Sequence, residues 1–100
     1  MHLVIIPTYN EVENISRIVE SVLNLKVSFH ILVVDDASKD GTVNAIHQSQ
    51  AAHPNRITLI GRPGKLGIGT AYTTGFQWGL ARDFTYIYEM DADFSHSPED

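Results

Sequence analysis

The sequence predicts an α/β fold in which a parallel sheet, with strand order 3-2-1-4, carries helices on both faces. Three observations lead to this prediction. Short apolar runs rich in β-branched residues recur along the chain, stretches with helical spacing separate them, and polar clusters follow several of the runs. Nearly continuous apolar runs are typical of strands buried on both faces of a parallel sheet. Alternation of strands and helices with right-handed crossovers then places the helices on both faces.

The predicted strands are HLVIIP (2–7), FHILVVDD (29–36), ITLIGR (57–62) and YIYEMD (86–91). Between the first two strands, five apolar residues recur at helical spacing: Ile15, Ile18, Val19, Val22 and Leu23. Asn10, with Glu13 three positions later, resembles a capping box at the start of this helix.

Two further helices are predicted after the second and third strands. The second carries Val43 and Ile46 and is expected to be capped by Asp40 or Ser38. The third starts near Thr70, and its predicted buried stripe consists of Tyr72, Phe76 and Leu80. The resulting element order is βαβαβαβ.

Composition narrows the classes of function. One hundred residues allow one domain. The formal charge of −5 leaves no surplus of Lys and Arg to neutralise a nucleic-acid backbone, so nucleic acid is not expected to be the main partner. The absence of cysteine excludes a disulfide framework and a thiolate zinc site. The first apolar run lacks the flanks of a signal peptide, and no apolar stretch approaches the length of about 18 residues that spans a bilayer.

Three polar clusters converge on one edge of the predicted sheet. PTYNE follows strand 1, DDASKDGT follows strand 2 and DADFSH follows strand 4. The carboxyl ends of parallel strands share an edge, and a crevice opens where the strand order reverses, here between strands 1 and 4. A nucleotide site is therefore expected at this edge.

Asp91 and Asp93 are the candidate metal ligands. If the strand stays extended, residues two apart project from the same face, so the two carboxylates can share one cation. Mg²⁺ and Mn²⁺ prefer oxygen ligands, and Mg²⁺ commonly binds one or two carboxylates together with substrate phosphates. A diphosphate-bearing substrate is therefore plausible. The alternative is that Asp-x-Asp merely opens a loop, which its position at the end of an apolar strand disfavours.

The carboxylates after strand 2 also allow two interpretations. Asp36 is the candidate for a hydrogen bond to a ribose or a base, whereas Asp35 and Asp40 are more simply explained as caps of the next helix.

In PTYNE, Pro7 fixes the backbone, Tyr9 offers a flat face for a base, and Glu11 offers a carboxylate that could instead complement the helix dipole. GKLGIGT (64–70) fits neither standard phosphate-loop fingerprint, so tight backbone turning is its expected role, although Lys65 could attract phosphate.

Taken together, the blocks IIPTYNE, VVDDASKDGT, GKLGIGTAY and EMDADFSHSP resemble family 2 glycosyltransferases of the dolichol- or polyprenol-phosphate mannose synthase branch. The resemblance covers the whole chain. It implies a Rossmann-like, glycosyltransferase A-type fold, here truncated, and metal-dependent, inverting transfer of mannose from GDP-mannose to a polyprenyl (dolichyl-type) phosphate. It also implies a peripheral location at the cytoplasmic face of a membrane.

The resemblance implies roles for individual residues. The nucleotide sugar would be held by Pro7, Tyr9, Glu11, Val34, Asp36, Asp91, Ala92 and Asp93. The catalytic residues would be Asp91 and Asp93, which would bind Mg²⁺ or Mn²⁺. Ser95 stands where some members carry a third metal ligand, a glutamine. The acceptor phosphate is already an anion and needs no strong general base.

Residues 1–100 are accordingly expected to form the nucleotide-sugar-binding N-terminal part of a catalytic domain, with the acceptor site beyond Asp100 and no transferase activity in this part alone. Three alternatives remain open from the sequence. They are a family 2 enzyme with a UDP-sugar donor, a non-catalytic nucleotide-binding module, and an aspartyl phosphotransferase of the haloacid dehalogenase type in which Asp91 is phosphorylated.

Overall fold

The computed structural model describes residues 2–92. Its elements are β1 (His2–Thr8), α1 (Ile15–Leu23), β2 (Phe29–Asp35), α2 (Thr42–Ala52), β3 (Ile57–Gly61), α3 (Ile68–Leu80) and β4 (Tyr86–Glu89). The predicted order βαβαβαβ is confirmed, and each strand boundary agrees with its prediction to within two residues.

The strands form one parallel sheet in the predicted order β3-β2-β1-β4. β1 pairs with β2 along its whole length, whereas its pairing with β4 ends where Ile5 lies opposite Glu89. Pro7 lies beyond that point, so its lack of a backbone N–H removes no hydrogen bond between β1 and β4. β1 thus continues beside β2 to Thr8 after its pairing with β4 has ended, which leaves a crevice beside the last residues of β1.

Side chains alternate between the two faces of β1. Val4 and Ile6 pack into a core with α1 and α2, while Leu3 and Ile5 pack into a second core with α3. Helices thus cover both faces, as predicted. None of the helices within residues 2–92 is long and apolar enough to cross a membrane.

The predicted capping box at the start of α1 is wrong. The helix begins at Ile15, with Asn14 at the N-cap and no side-chain cap hydrogen bond. Asn10 instead adopts a left-handed conformation with φ 55°, and its backbone N–H donates to Ser38 Oγ at 2.8 Å. Its side-chain Oδ1 accepts from the Lys39 N–H at 2.9 Å. These cross-links join the β1–α1 and β2–α2 loops and hold the chain out of helical geometry.

The N-cap of α2 is Gly41, without a side-chain cap hydrogen bond, so neither predicted residue stands at that position. Asp40 nevertheless binds the first residue of the helix: its carboxylate accepts hydrogen bonds from the backbone N–H of Thr42, at 3.1 Å, and from its hydroxyl group. Ser38 instead donates to Asp35 Oδ1 at 2.6 Å.

The predicted buried stripe of α3 is partly wrong. The helix starts at Ile68, and Leu80 is 67% exposed. Tyr72 and Phe76 are half-buried against the core, as expected.

The face of α3 that lies closest to the sheet consists of small residues: Ala71, Gly75 and Gly79. A Cβ atom on Gly75 would lie 2.7 Å from Ile5 Cδ1, and one on Gly79 would lie 2.7 Å from Leu3 Cδ2. The glycines therefore allow the helix to approach β1 closely, which rotates Leu80 away from the core.

Candidate functional site

A pocket of ≈ 260 Å³ opens at the carboxyl ends of the strands. Its lining comes from the end of β1 and the loop after it, the residue after β2, the β3–α3 loop with the first residue of α3, and the chain after β4: Pro7, Thr8, Tyr9, Glu11, Asp36, Lys65, Gly67, Ile68, Asp91 and Ala92. Within residues 2–92, members of all three polar clusters therefore share one edge of the sheet, and the β3–α3 loop joins them; the third cluster is represented by Asp91 and Ala92.

Asp35 links β1 and β2, the two strands beneath this pocket, through its hydrogen bonds. The buried carboxylate accepts from Thr8 Oγ1 at 2.6 Å, from the Ser38 N–H at 2.9 Å and from Ser38 Oγ at 2.6 Å. The prediction that Asp35 caps the next helix is therefore wrong, because its partners lie in β1 and in the loop before α2. Asp35 fixes the ends of β1 and β2 relative to each other.

Asp36 forms a buried ion pair with Arg62, the residue that follows β3. Arg62 Nε donates to Asp36 Oδ1 at 2.6 Å and Arg62 Nη2 donates to Oδ2 at 2.9 Å, and each side chain is 7% exposed. The backbone N–H groups of Leu66 and Gly67 also donate to Oδ2, at 3.0 and 3.1 Å.

Burial by itself would raise the pKa of Asp36. The hydrogen bonds from Arg62, Gly67 and Leu66 and the charge of Arg62 outweigh it, so the pKa of this carboxyl lies below its ordinary value of 3.8. Asp36 is therefore an anion near neutral pH.

The β3–α3 loop, residues 62–67, closes one side of the pocket. Gly67 has φ 102° and ψ 155°, a conformation that residues with a Cβ rarely adopt, so the predicted turning role of GKLGIGT is confirmed at this glycine. Lys65 Nζ lies 4.7 Å from the centroid of the Tyr9 ring, which is the distance of a cation–π contact. The cation thus covers part of the aromatic face that was expected to meet a base.

Asp91 lines the pocket just after β4. The Tyr72 hydroxyl, on α3, donates to Asp91 Oδ1 at 2.8 Å. Carboxylate oxygens are the donor type that a hard divalent cation prefers, so Asp91, which lines the same pocket as Glu11, fits Mg²⁺ or Mn²⁺. The other predicted ligands, Asp93 and Ser95, lie outside the described residues. Within residues 2–92, no three His, Cys, Asp or Glu side chains form a group that could hold a metal ion.

The pocket brings together six of the predicted donor-binding residues: Pro7, Tyr9, Glu11, Asp36, Asp91 and Ala92. Val34 does not line it, because its side chain is fully buried in the core beneath α3, and its contact with a nucleoside remains a prediction.

Sequence reasoning missed Arg62 and Tyr72. The only signal in the sequence was their position: Arg62 is the last residue of the predicted third strand, and Tyr72 lies on the first turns of a helix that starts at the same edge.

The sequence profile described as "Glycosyl transferase family 2" matches residues 3–100. The chain belongs to this family. Membership confirms the resemblance found in the sequence and assigns the chain to the glycosyltransferases rather than to phosphotransferases of the haloacid dehalogenase type.

Two curated relatives in this family are similar to almost the whole chain. The polyprenol monophosphomannose synthase of Mycolicibacterium smegmatis is 50% identical over 98 residues, which are 98% of this chain and 37% of the relative. The undecaprenyl-phosphate mannosyltransferase of Micrococcus luteus is 43% identical over 97% of this chain and 40% of the relative. The chain therefore spans about two fifths of the length of these relatives.

Solved structures of glycosyltransferases share the fold. The mannosyltransferase PcManGT from Pyrobaculum calidifontis, in complex with GDP-Man and Mn²⁺, superposes with a TM-score of 0.72 at 30% identity, over 77% of this chain and 24% of that one. S. aureus TarS in complex with UDP superposes with a TM-score of 0.79 at 21% identity, over 92% of this chain and 27% of that one. The predicted glycosyltransferase A-type fold is confirmed.

Proposed function

We propose that residues 1–100 form the nucleotide-sugar-binding part of a metal-dependent, inverting mannosyltransferase, whose donor is GDP-mannose and whose acceptor is a polyprenyl phosphate of the dolichyl type. Because the chain spans about two fifths of its curated relatives, the activity is proposed for the whole protein, meaning a protein that contains this chain at its relatives' length. A location at the cytoplasmic face of a membrane is part of the proposal, since that is where a lipid phosphate would be met.

The observation that carries the proposal is the pocket at the carboxyl edge of the sheet, where residues from four separate segments converge. The named activities of the relatives support the sugar and the lipid, since both are mannosyl-transferring enzymes of polyprenyl phosphates by name. The mannosyltransferase PcManGT, at 30% identity, supports GDP-mannose as the donor and Mn²⁺ as the metal.

Within the pocket, each side chain is suited by its chemistry to bind a different part of the donor. Tyr9, which is 40% exposed, offers an aromatic face to the base of the donor. Glu11 offers carboxylate oxygens that can accept hydrogen bonds from ribose hydroxyls. Asp91 and Asp93, with Ser95 as a possible third ligand, would hold Mg²⁺ or Mn²⁺, and the bound ion would neutralise charge on the leaving diphosphate. Direct attack by the acceptor phosphate oxygen on the anomeric carbon would then invert its configuration.

The test is transfer of labelled sugar to polyprenyl phosphate by the whole protein, with GDP-mannose, UDP-glucose and UDP-GlcNAc as donors, with EDTA or with added Mn²⁺. We expect label in the lipid fraction from GDP-mannose alone, with loss in EDTA and recovery with Mn²⁺. Transfer from a UDP-sugar instead would support the alternative donor class, and nucleotide binding without any transfer would support a non-catalytic module.

A pair of matched variants connects this activity to the pocket. Asp91→Asn removes a negative charge from the proposed metal site and is expected to abolish transfer. Asp83→Asn makes the same isosteric change in the turn before β4, where φ is 63°, a conformation that asparagine tolerates well. Equal activity of the two variants would argue against a metal role for Asp91.

A further inference from the structure

Both oxygens of the Asp36 carboxylate are occupied by the protein itself. The carboxylate accepts four hydrogen bonds: two from the Arg62 guanidinium and one each from the backbone N–H groups of Leu66 and Gly67. Three of the four donors, Arg62 Nη2 and the two backbone N–H groups, share Oδ2, whereas Oδ1 accepts from Arg62 Nε and keeps capacity for one more donor. Oδ2 is therefore committed to Arg62 and to residues 66 and 67.

The same four hydrogen bonds hold residues 62–67 in place. Arg62 also donates to the backbone oxygen of Gly67 at 2.9 Å and to Thr70 Oγ1 at 2.9 Å, so it joins both ends of the loop to the first turn of α3. Arg62 is suited to this task because its planar guanidinium presents several donors in a fixed geometry, which lysine cannot reproduce.

The loop in turn supplies one wall of the pocket. Lys65, Gly67 and Ile68 all line it, and Lys65 contacts Tyr9 across the opening. Backbone hydrogen bonds hold the two ends of the loop: the Arg62 N–H donates to the Asp35 oxygen at 2.8 Å, and the Gly67 oxygen accepts from the Ala71 N–H at 3.1 Å. Between those ends, Lys65 and Leu66 have exposed side chains and Gly64 has open space where a Cβ would stand. Release of the ion pair is therefore expected to loosen the middle of the loop.

We infer that Arg62 is a positioning residue of the donor pocket: its ion pair with Asp36 fixes residues 62–67, and both residues influence donor binding through this loop. The inference rests on the proposed function for the identity of the ligand, but the order of the loop can be measured without any ligand. Breaking a buried pair leaves an uncompensated charge, so removal of either partner is expected to loosen the loop.

The first measurement is limited trypsin digestion of the whole protein. Within residues 62–67 the accessible tryptic bond is Lys65–Leu66, since Arg62 is followed by Pro63. We expect Arg62→Ala and Asp36→Ala to speed cleavage after Lys65 by about tenfold or more, because cleavage follows the population of the opened loop. Arg62→Lys, which keeps the charge but not the fork, is expected to be intermediate.

Arg56→Ala is the matched control. Arg56 donates to the Phe29 backbone oxygen from Nε, at 3.3 Å, and from Nη2, at 3.0 Å, at the opposite edge of the sheet. Its removal also costs hydrogen bonds, yet cleavage after Lys65 should stay at the wild-type rate. If Arg56→Ala speeds that cleavage as much as Arg62→Ala, the effect is global destabilisation and the inference is wrong.

The second measurement is a double-mutant cycle on the Kd of GDP, with Asp36→Ala, Arg62→Ala and the double variant. If both residues act through the loop, each single substitution weakens GDP binding by about tenfold. The double substitution then weakens it little further, because each single substitution already removes the same ordering of the loop. The KM for the donor should rise while the KM for polyprenyl phosphate is unchanged, which a simple loss of folded protein would not produce.

The outcomes separate the inference from the proposed function. Additive losses in the cycle, or weaker GDP binding with unchanged cleavage after Lys65, would mean that the side chains contact the nucleotide directly, and would overturn the inference. If the wild-type protein binds no nucleotide, the proposed function fails, and the donor-binding part of the inference fails with it. The digestion still decides whether the ion pair orders residues 62–67.

Discussion

The Tyr72 hydroxyl is expected to tune the affinity of the proposed metal site. Tyr72→Phe removes the hydrogen bond to Asp91 Oδ1, at 2.8 Å, and leaves the aromatic ring that packs against the core beneath α3. Two effects oppose each other. Without the donor, Asp91 Oδ1 no longer shares its electron pairs with the hydroxyl group, but the carboxylate also loses the contact that orients it.

Orientation should dominate. Loss of a partner that orients a metal ligand typically costs about 10- to 100-fold in metal affinity, and a hydrogen bond to a charged group contributes about 1.5–3 kcal/mol. Tyr72 and Asp91 are only half-buried, so solvent replaces part of the interaction and the lower end applies. We therefore expect Mn²⁺ to bind about tenfold more weakly, which corresponds to about 1.4 kcal/mol.

The assay is a titration of the whole protein with Mn²⁺ in the presence of GDP, followed by the electron paramagnetic resonance signal of free Mn²⁺. Tyr86→Phe is the control, since it loses the same atom at the far end of β4, where the ring stacks on His2 at 4.8 Å. Unchanged or tighter Mn²⁺ binding by Tyr72→Phe, with Tyr86→Phe equal to wild type, would refute the reasoning.

Three further predictions concern stability. Gly75→Ala should lower the free energy of unfolding by about 1–2 kcal/mol in urea titrations, because the added Cβ meets the stiff, branched Ile5 side chain. Gly79→Ala should leave the free energy of unfolding nearly unchanged. Burial, aided by the charge of a nearby arginine, holds the pKa of His30 below 6.5, so the unfolded chain binds more protons below that pH. Stability should therefore fall as pH drops below 6.5, and His30→Gln should remove part of that fall in denaturation midpoints at pH 7.5 and 5.5. The pKa of Asp36 is below 3.8, so the contribution of this carboxylate to stability is present above that pH and is lost as the pH falls below it. Asp36→Asn should therefore make stability less dependent on pH in acid unfolding monitored by circular dichroism.

The outcomes that would contradict these predictions differ. Equal losses for the two glycine variants would mean that Leu3 gives way to an added Cβ no more easily than Ile5 does. A His30→Gln variant with an unchanged slope between pH 7.5 and 5.5 would assign the pH dependence to other histidines. An unchanged acid transition in Asp36→Asn would show that the ion pair contributes little to global stability.

The sheet was predictable because its signal is local. Continuous apolar runs mark β1 and β2, and the chain order of strands and helices leaves few topologies open. Convergence of the polar clusters followed from the topology alone, without any knowledge of side-chain contacts.

The errors arose where contacts between distant segments decide the local structure. Asn10 looked like a cap, but hydrogen bonds to the β2–α2 loop hold it in a left-handed conformation. Leu80 looked buried by its spacing from Phe76, but the approach of Gly75 to β1 sets a different rotation of α3. The partnership of Asp36 with Arg62 spans 26 positions, and no periodicity in the sequence encodes it.

The most direct test of the central claim is a crystal structure of the whole protein with GDP-mannose and Mn²⁺. In that structure we expect the base beside Tyr9, the ribose near Glu11, the metal on Asp91, and Arg62 still paired with Asp36. A donor bound away from the carboxyl edge of the sheet, or a diphosphate and metal that do not contact Asp91, would contradict it.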